Sequence, residues 1–400
     1  MNQDDFPTPP VEAETLAPTE LKRRIDDGEQ VTVLDARSPA DFEEWNLGGP
    51  GVEVENVPYY EFVGETVDEE LLAEVPTGDP LVVLCAKGYA SRYVAGELAA
   101  AGRAVVGLAD GMEGWAEIYE RHEVTRYDGP GTLYQYQRPS SGCLGYLLVS
   151  DGEAAVIDPL RAFTDRYLAD VAASDADLQY ALDTHVHADH VSGVRDLSET
   201  SETDVTGVIP EAAVPRGITY TGAVTTAADD DRFAVGDAEI EARHTPGHTS
   251  GMTSYLVGGS LLATGDGLFV DSVARPDLEE GDDGAPEAAR ELYETLHERI
   301  LPSDDDLLIG GAHVGDDATP AADGSYTARL GELVDAMAPL SYDEGRFVDT
   351  VLADMPPRPA NYEEIIATNL GQRETDDEEA FQLELGPNNC AASQGSLADD

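Results

Sequence analysis

Leu182-Asp-Thr-His185-Val-His187-Ala-Asp189-His190 packs four metal-capable side chains into six residues of a chain with eight histidines in 400. The alternation of His185 and His187 suits ligands leaving the end of a strand on one face, here the apolar run Tyr180–Leu182. Asp189 and His190 follow where the backbone turns. Downstream, Thr245-Pro-Gly-His248 sets a histidine after a turn. Leu261-Leu-Ala-Thr-Gly-Asp266 and Leu307-Leu-Ile-Gly-Gly-Ala-His313 each set a donor at a strand end. Sheet folds gather ligands from distant sequence in this way. His122, His244 and His297 fall outside the pattern and are read as structural or surface residues. A purely structural zinc is not expected, because such sites favour thiolates and no cysteine lies beside these stretches in sequence.

Further elements flank this region. Tyr134, Tyr136, Leu144, Tyr146 and Leu148 alternate as antiparallel strands do, and strands recur at Ala154–Asp158, Val205–Ile209, Glu239–Ala242, Thr253–Val257 and Leu261–Thr264. Helices are predicted over Asp165–Ser174, Pro286–Leu301 and Tyr326–Ala338. Upstream, the short buried strand Val31–Leu34, the all-apolar strand Leu81–Leu84 and a third strand, Val105–Leu108, alternate with helical stretches such as Ser91–Ala101. That pattern implies a parallel sheet covered on both faces. A Gly/Pro-rich change of composition at Arg126–Gly131 separates the two patterns. The expected organisation is one domain over 15–125, a second over 130–370, and a loosely docked acidic tail over 371–400. The first ten residues, polar and Pro-rich, are expected to be disordered.

The formal net charge is −58, from 81 Asp+Glu against 23 Lys+Arg, and Lys22 and Lys87 are the two lysines. The balance argues against binding nucleic acid or anionic lipid. Hydrophobic residues make up 41% of the chain, in compact runs, so the charge belongs to a folded surface. A dense carboxylate shell suits concentrated salt, where self-repulsion is screened, and points to a halophilic source. Three cysteines make no disulfide framework, and the chain has neither an evident leader nor an apolar run of about 20 residues. A cytoplasmic protein with reduced thiols is expected.

Cys85 follows Leu81–Leu84 in Cys85-Ala-Lys87-Gly88-Tyr-Ala-Ser91-Arg92, ahead of an alanine-rich helix. Loop N–H groups and the positive end of a helix lower a thiol's pKa and stabilise an anion. One of the two lysines sits in this loop. Cys143 and Cys390 lack such basic neighbours and are expected to be non-catalytic.

The two patterns resemble known families. The run HxHxDH, then Pro-Gly-His248, Gly-Asp266 and His313, resembles the metallo-β-lactamase superfamily, which implies an αββα sandwich with metal between the sheet edges. Ser141-Gly-Cys-Leu-Gly-Tyr146, Gly265-Asp-Gly-Leu-Phe269, Ala274-Arg-Pro-Asp-Leu278 and Pro356-Pro-Arg-Pro-Ala-Asn-Tyr362 are similar to its persulfide dioxygenase branch, close to glyoxalase II. The resemblance implies one Fe(II) per chain on His185, His248 and Asp266, with O₂ and a low-molecular-weight thiol persulfide as substrates. His187, Asp189, His190 and His313 would then support those ligands, and Arg275 could steer an anionic substrate. The alternative is a thioester hydrolase with two zinc ions per chain, using all seven residues. Val33-Leu-Asp35-Ala-Arg37, Cys85-Ala-Lys-Gly88 and Gly107-Leu-Ala-Asp-Gly-Met-Glu-Gly-Trp115 resemble the rhodanese family, an α/β fold. That implies a persulfide on Cys85, taken from a thiosulfate-like donor, with Lys87, Gly88 and Arg92 forming the anion loop. The resemblance leaves a homodimer open.

Overall fold

A computed structural model of the chain describes residues 6–64, 67–200, 204–315, 318–353, 355–388 and 390–392. The chain divides into two compact units, Met1–Ile118 with Arg138–Ser141, and Tyr119–Gln137 with Gly142–Asp400.

The first unit is built on a five-stranded parallel sheet. Its strands are β1 (Glu14–Leu16), β2 (Val31–Asp35), β3 (Val52–Asn56), β4 (Leu81–Leu84) and β5 (Val105–Leu108), in the order β1-β5-β4-β2-β3. Two buried clusters cover its faces, one around Leu21, Val33, Val82 and Trp115, the other around Leu34, Val83, Val94 and Leu98. That is why β4 reads as a continuous apolar run. The helix after β4 spans Tyr89–Ala100, two residues earlier than predicted. In the amino-terminal segment Phe6 packs edge-on to Tyr59, and residues 7–10 form no helix or strand. The rest of the expected disordered stretch, residues 1–5, lies outside the described residues.

The second unit is a four-layer αββα sandwich. One sheet holds β6 (Glu120–Glu123), β7 (Thr132–Arg138), β8 (Cys143–Ser150), β9 (Glu153–Ile157), β10 (Asp177–Leu182), β11 (Thr206–Pro210) and β12 (Thr225–Ala227), in the order β12-β11-β10-β9-β8-β7-β6. The other holds β13 (Arg232–Val235), β14 (Ala238–His244), β15 (Thr253–Val257), β16 (Leu261–Gly265), β17 (Leu308–Gly311) and β18 (Ala328–Arg329), in sequence order. Their inner faces share a core that includes Tyr146, Ile157, Leu182, Ile240, Tyr255 and Ala263. Outside, the helices Thr164–Ala173 and Val194–Thr200 cover one sheet, and Gly281–Thr295 and Leu330–Ala336 the other. The helix predicted over Tyr326–Ala338 is shorter because β18 takes its start, pairing with β17.

The acidic tail differs from expectation. Asp377–Leu383 is a helix, Glu384 is buried and accepts from the Val191 N–H at 2.8 Å, and Cys390 and Ala392 are buried. Apolar and thiol groups at its end fill space beside the histidine cluster, which outweighs the polar composition that suggested a loose tail. Asn389 and residues 393–400 lie outside the described residues. Among the described residues, no helix is long and apolar enough to cross a membrane.

Candidate metal centre

Parallel strands place their carboxyl ends along one edge of the sandwich, and the donors collect there. β10 ends at Leu182 and delivers Asp183 to His190; β16 ends at Gly265 and delivers Asp266; β17 leads to His313; the turn between β14 and β15 carries His248. Gly265 has φ 52°. A Cβ there would meet Met252 Cε at 2.1 Å and Thr184 Oγ1 at 2.5 Å, so the backbone beneath Asp266 has room for glycine alone.

His185, His248 and Asp266 form one compact group. Their ligand atoms lie within 4.8 Å of one another, and all three residues are 1% exposed. Both His185 Nε2 and His248 Nε2 lie 3.6 Å from Asp266 Oδ2. The tautomers follow from the partners. The Arg275 carbonyl can only accept, so His248 Nδ1 donates to it at 2.9 Å and Nε2 keeps a lone pair. The Thr184 hydroxyl gives its one proton to Asp158 Oδ2 at 3.0 Å, so its oxygen accepts from His185 Nδ1 at 2.9 Å. His185 Nε2 therefore also presents a lone pair. Burial pushes the His185 imidazole well down, reinforced by His187 and His248, and burial brings His248 down to about 4. Both are neutral at pH 7, as ligands must be. Burial, and then the charge of Asp189, pushes the Asp266 carboxyl up. His185 Nε2 and Asp266 Oδ2 make no hydrogen bond among the described residues. Two imidazole lone pairs and a buried carboxylate oxygen fit a divalent metal ion.

His187 has a different environment. Its Nε2 lies 3.1 Å from Asp158 Oδ1 and 3.6 Å from Asp183 Oδ1. Burial alone would lower this imidazole, but Asp158 and Asp183 outweigh it and hold it well above the ordinary value. Asp189, His190 and His313 form a further group. His190 Nδ1 is 3.2 Å from Asp189 Oδ1, and His313 Nδ1 is 3.5 Å from Asp189 Oδ2. Burial works to raise the Asp189 carboxyl, yet the imidazoles of His190, His313 and His187 carry it well below the usual range.

Several participants are not obvious from sequence. Asp158 and Asp183 obey the same strand-end rule as Asp266. Asn369 donates to the carbonyls of His187 at 2.9 Å and His190 at 2.8 Å, and accepts from the Ser192 N–H, fixing the loop. Two cysteines lie here as well: Cys143 Sγ is 3.1 Å from Asp189 Oδ2, and Cys390 groups with Asp189 and His313. The expectation that no thiol joins this cluster is thus overturned, because strand β8 and the tail bring both in from far away in sequence. Arg275 is 1% exposed, bidentate to Asp277, and donates to the carbonyls of Pro356 and Pro357. Its side chain ties loops together, and its carbonyl positions His248.

In the first unit Cys85 sits at the end of β4, and its Sγ accepts from the Ser91 N–H at 3.3 Å. Gly88 has φ 80°, and a Cβ there would meet the Asp110 backbone nitrogen at 2.9 Å. Lys87 pairs with Glu113 at 2.9 Å and Arg92 with Glu12 at 2.6 Å, so each loop cation has a carboxylate partner.

Comparison with known proteins agrees with this geometry. A model described as the metallo-beta-lactamase superfamily matches residues 140–337. The human mitochondrial persulfide dioxygenase ETHE1 is 30% identical over 201 residues, covering 48% of this chain and 73% of that protein. The chain belongs to the metallo-beta-lactamase superfamily. A rhodanese-like domain model matches residues 17–118. The superfamily domain is also similar to a probable hydroxyacylglutathione hydrolase, glo2 of Schizosaccharomyces pombe, at 30% identity over 175 residues, 42% of this chain and 62% of that protein. The crystal structure of ETHE1 from Myxococcus xanthus superposes with a TM-score of 0.51 at 26% identity, covering 60% of this chain and 99% of that one. The chain is thus a superfamily enzyme with an α/β rhodanese-like domain before an αββα metal-binding domain.

Proposed function

We propose that this enzyme oxidises the sulfane sulfur of a low-molecular-weight thiol persulfide to sulfite at one Fe(II) held by His185, His248 and Asp266. The overall reaction is RSSH + O₂ + H₂O → RSH + SO₃²⁻ + 2H⁺. The observation that carries the reading is the separation of donors. His185, His248 and Asp266 face one another, whereas His187 is engaged by Asp158 and Asp183. The likeness to a persulfide dioxygenase over most of that protein's length supports it.

Bound there by His185, His248 and Asp266, Fe(II) would supply the one-electron chemistry that O₂ requires. The chain's own residues do the rest. Asp158 and Thr184 hold the His185 tautomer, and the Arg275 carbonyl holds that of His248. Burial of all three donors keeps bulk water from the reacting sulfur. In the rhodanese-like domain the Cys85 thiolate would attack the outer sulfur of a thiosulfate-like donor, expelling sulfite and forming a Cys85 persulfide, whose outer sulfur an acceptor thiolate of the thiol pool would then take, freeing Cys85. The Ser91 N–H beside Sγ would stabilise the thiolate.

The second reading is a thioester hydrolase with two zinc ions, favoured by the gathering of Asp189, His190 and His313 beside the triad. Purified protein offered a persulfide and, separately, a thioester of the same thiol distinguishes them. Oxygen uptake with sulfite formation, lost in His185→Ala, supports the dioxygenase; thioester hydrolysis without oxygen uptake refutes it.

A further inference from the structure

Both cations of the Cys85 loop are matched by carboxylates from elsewhere in their domain. Lys87 Nζ lies 2.9 Å from Glu113 Oε1, and Arg92 Nη2 lies 2.6 Å from Glu12 Oε1. At the end of the neighbouring strand, Arg37 donates from Nε and Nη2 to the buried Asp35. Resting on the reading of Cys85 as a sulfur carrier, we infer that Glu12 and Glu113 set its donor specificity. They turn the loop away from the thiosulfate dianion and toward an organic persulfide with an uncharged R group.

The backbone places both carboxylates. The segment before β1 runs along the helix Tyr89–Ala100, where a Cβ on Gly96 would meet Pro9 Cβ and the Val11 carbonyl oxygen, both at 2.4 Å. Glycine lets the segment lie that close, and Glu12 arrives beside Arg92 in the first turn of the helix. Glu113 comes from the short helix Gly111–Ala116 after β5. That helix is tied to the loop: the Met112 N–H donates to the Cys85 carbonyl at 2.8 Å, and the Glu113 N–H to the Ala86 carbonyl at 3.0 Å. A Cβ on Gly111 would meet the Cys85 carbonyl oxygen at 2.0 Å, so glycine is needed for this approach.

Donor choice is a difference of affinities. Thiosulfate carries two negative charges, and on entering it gives up hydration that a loop of matched charges does not return. A persulfide RSSH with an uncharged R group brings no oxyanion. The Cys85 thiolate attacks its outer sulfur, the S–S bond breaks, and RS⁻ leaves with the electron pair; Cys85 keeps the S–SH. The side chains of Lys87 and Arg92 are 42% and 51% exposed. An ion pair at such a position changes affinity by about 1.4–5-fold, so two cations released from their carboxylates should shift donor choice by about threefold or more.

The test is anaerobic single-turnover sulfur transfer to the full chain at one fixed ionic strength, read by the mass of the Cys85 peptide. Thiosulfate is compared with an alkyl persulfide whose R group is uncharged. The parent protein should show the larger second-order rate constant with the persulfide. In the double variant Glu12→Gln with Glu113→Gln, the thiosulfate-to-persulfide ratio of rate constants should rise about threefold or more. Damage to the loop would slow both donors together, whereas a change in the ratio reports charge. Glu12→Lys, at a side chain 79% exposed, should raise the ratio as well and gives an independent reading if the double variant misfolds. A parent protein faster with thiosulfate, or a ratio unmoved in these variants, would overturn the inference while leaving Cys85 a sulfur carrier. A parent Cys85 that gains sulfur from neither donor would refute the carrier reading, and the inference with it.

Discussion

Thr184→Val tests the hydrogen-bond relay that readies His185 for a metal. Valine keeps the shape of a side chain that is 0% exposed, and the Thr184 N–H keeps its 2.7 Å bond to Asp158 Oδ1. What disappears is the hydroxyl between Asp158 Oδ2, at 3.0 Å, and His185 Nδ1, at 2.9 Å. Without it, a buried imidazole N–H is left unpaired, which costs about 1–3 kcal/mol. The ring no longer has a reason to keep its proton on Nδ1, so part of the population carries it on Nε2, the ligating atom. Loss of such an outer partner lowers metal affinity about 10–100-fold, or about 1.4–2.7 kcal/mol, the same scale reached independently. Competition with a chromophoric chelator for Fe(II), under anaerobic conditions, measures it. An affinity within about threefold of the parent protein, with the fold intact, would show that the relay does not set the tautomer.

Three other outcomes are expected. Asn369→Leu unpairs two buried carbonyls and one N–H of the histidine loop, so thermal unfolding of the metal-free protein should show a loss of about 3 kcal/mol or more. The His248 imidazole, lowered from 6.5 to about 4, binds fewer protons folded than unfolded between those values. Stability of the metal-free protein should therefore fall as pH drops through that window, by about 3 kcal/mol from this group; a His248→Gln variant with an unchanged pH slope there would contradict it. Cys85→Ser should lower thiosulfate sulfurtransferase activity by about a thousandfold or more while the circular dichroism spectrum is retained; retained activity would remove Cys85 from the nucleophile role.

Much of the site was legible because metal ligands sit where strands stop, and strand ends are a local pattern. His185, Asp266 and His313 could each be found that way, and His248 from its Pro-Gly turn. Asp158 and Asp183 obey the same rule, and the signal for them was present in Ile157-Asp158 and Leu182-Asp183. Cys143, Asn369, Asn388 and Cys390 carry no such signal. Their partners lie tens to hundreds of residues away, and only the paired sheets and the docked tail bring them together. Arg275 shows the converse error. A lone arginine in an acidic chain reads as an anion site, but Asp277 two residues on claims its guanidinium. The split of His187 from His185, two residues away, needed coordinates, since Asp158 and Asp183 together decide it.

The central claim is that the triad of His185, His248 and Asp266 activates O₂ on a persulfide. Oxygen uptake by metal-free protein reloaded with graded Fe(II), or with zinc, tests it most directly. Uptake on a low-molecular-weight persulfide should rise in proportion to iron occupancy, with one sulfite formed per O₂, and zinc should give none. Thioester hydrolysis by the zinc-loaded protein, with no oxygen uptake in the iron-loaded one, would contradict it.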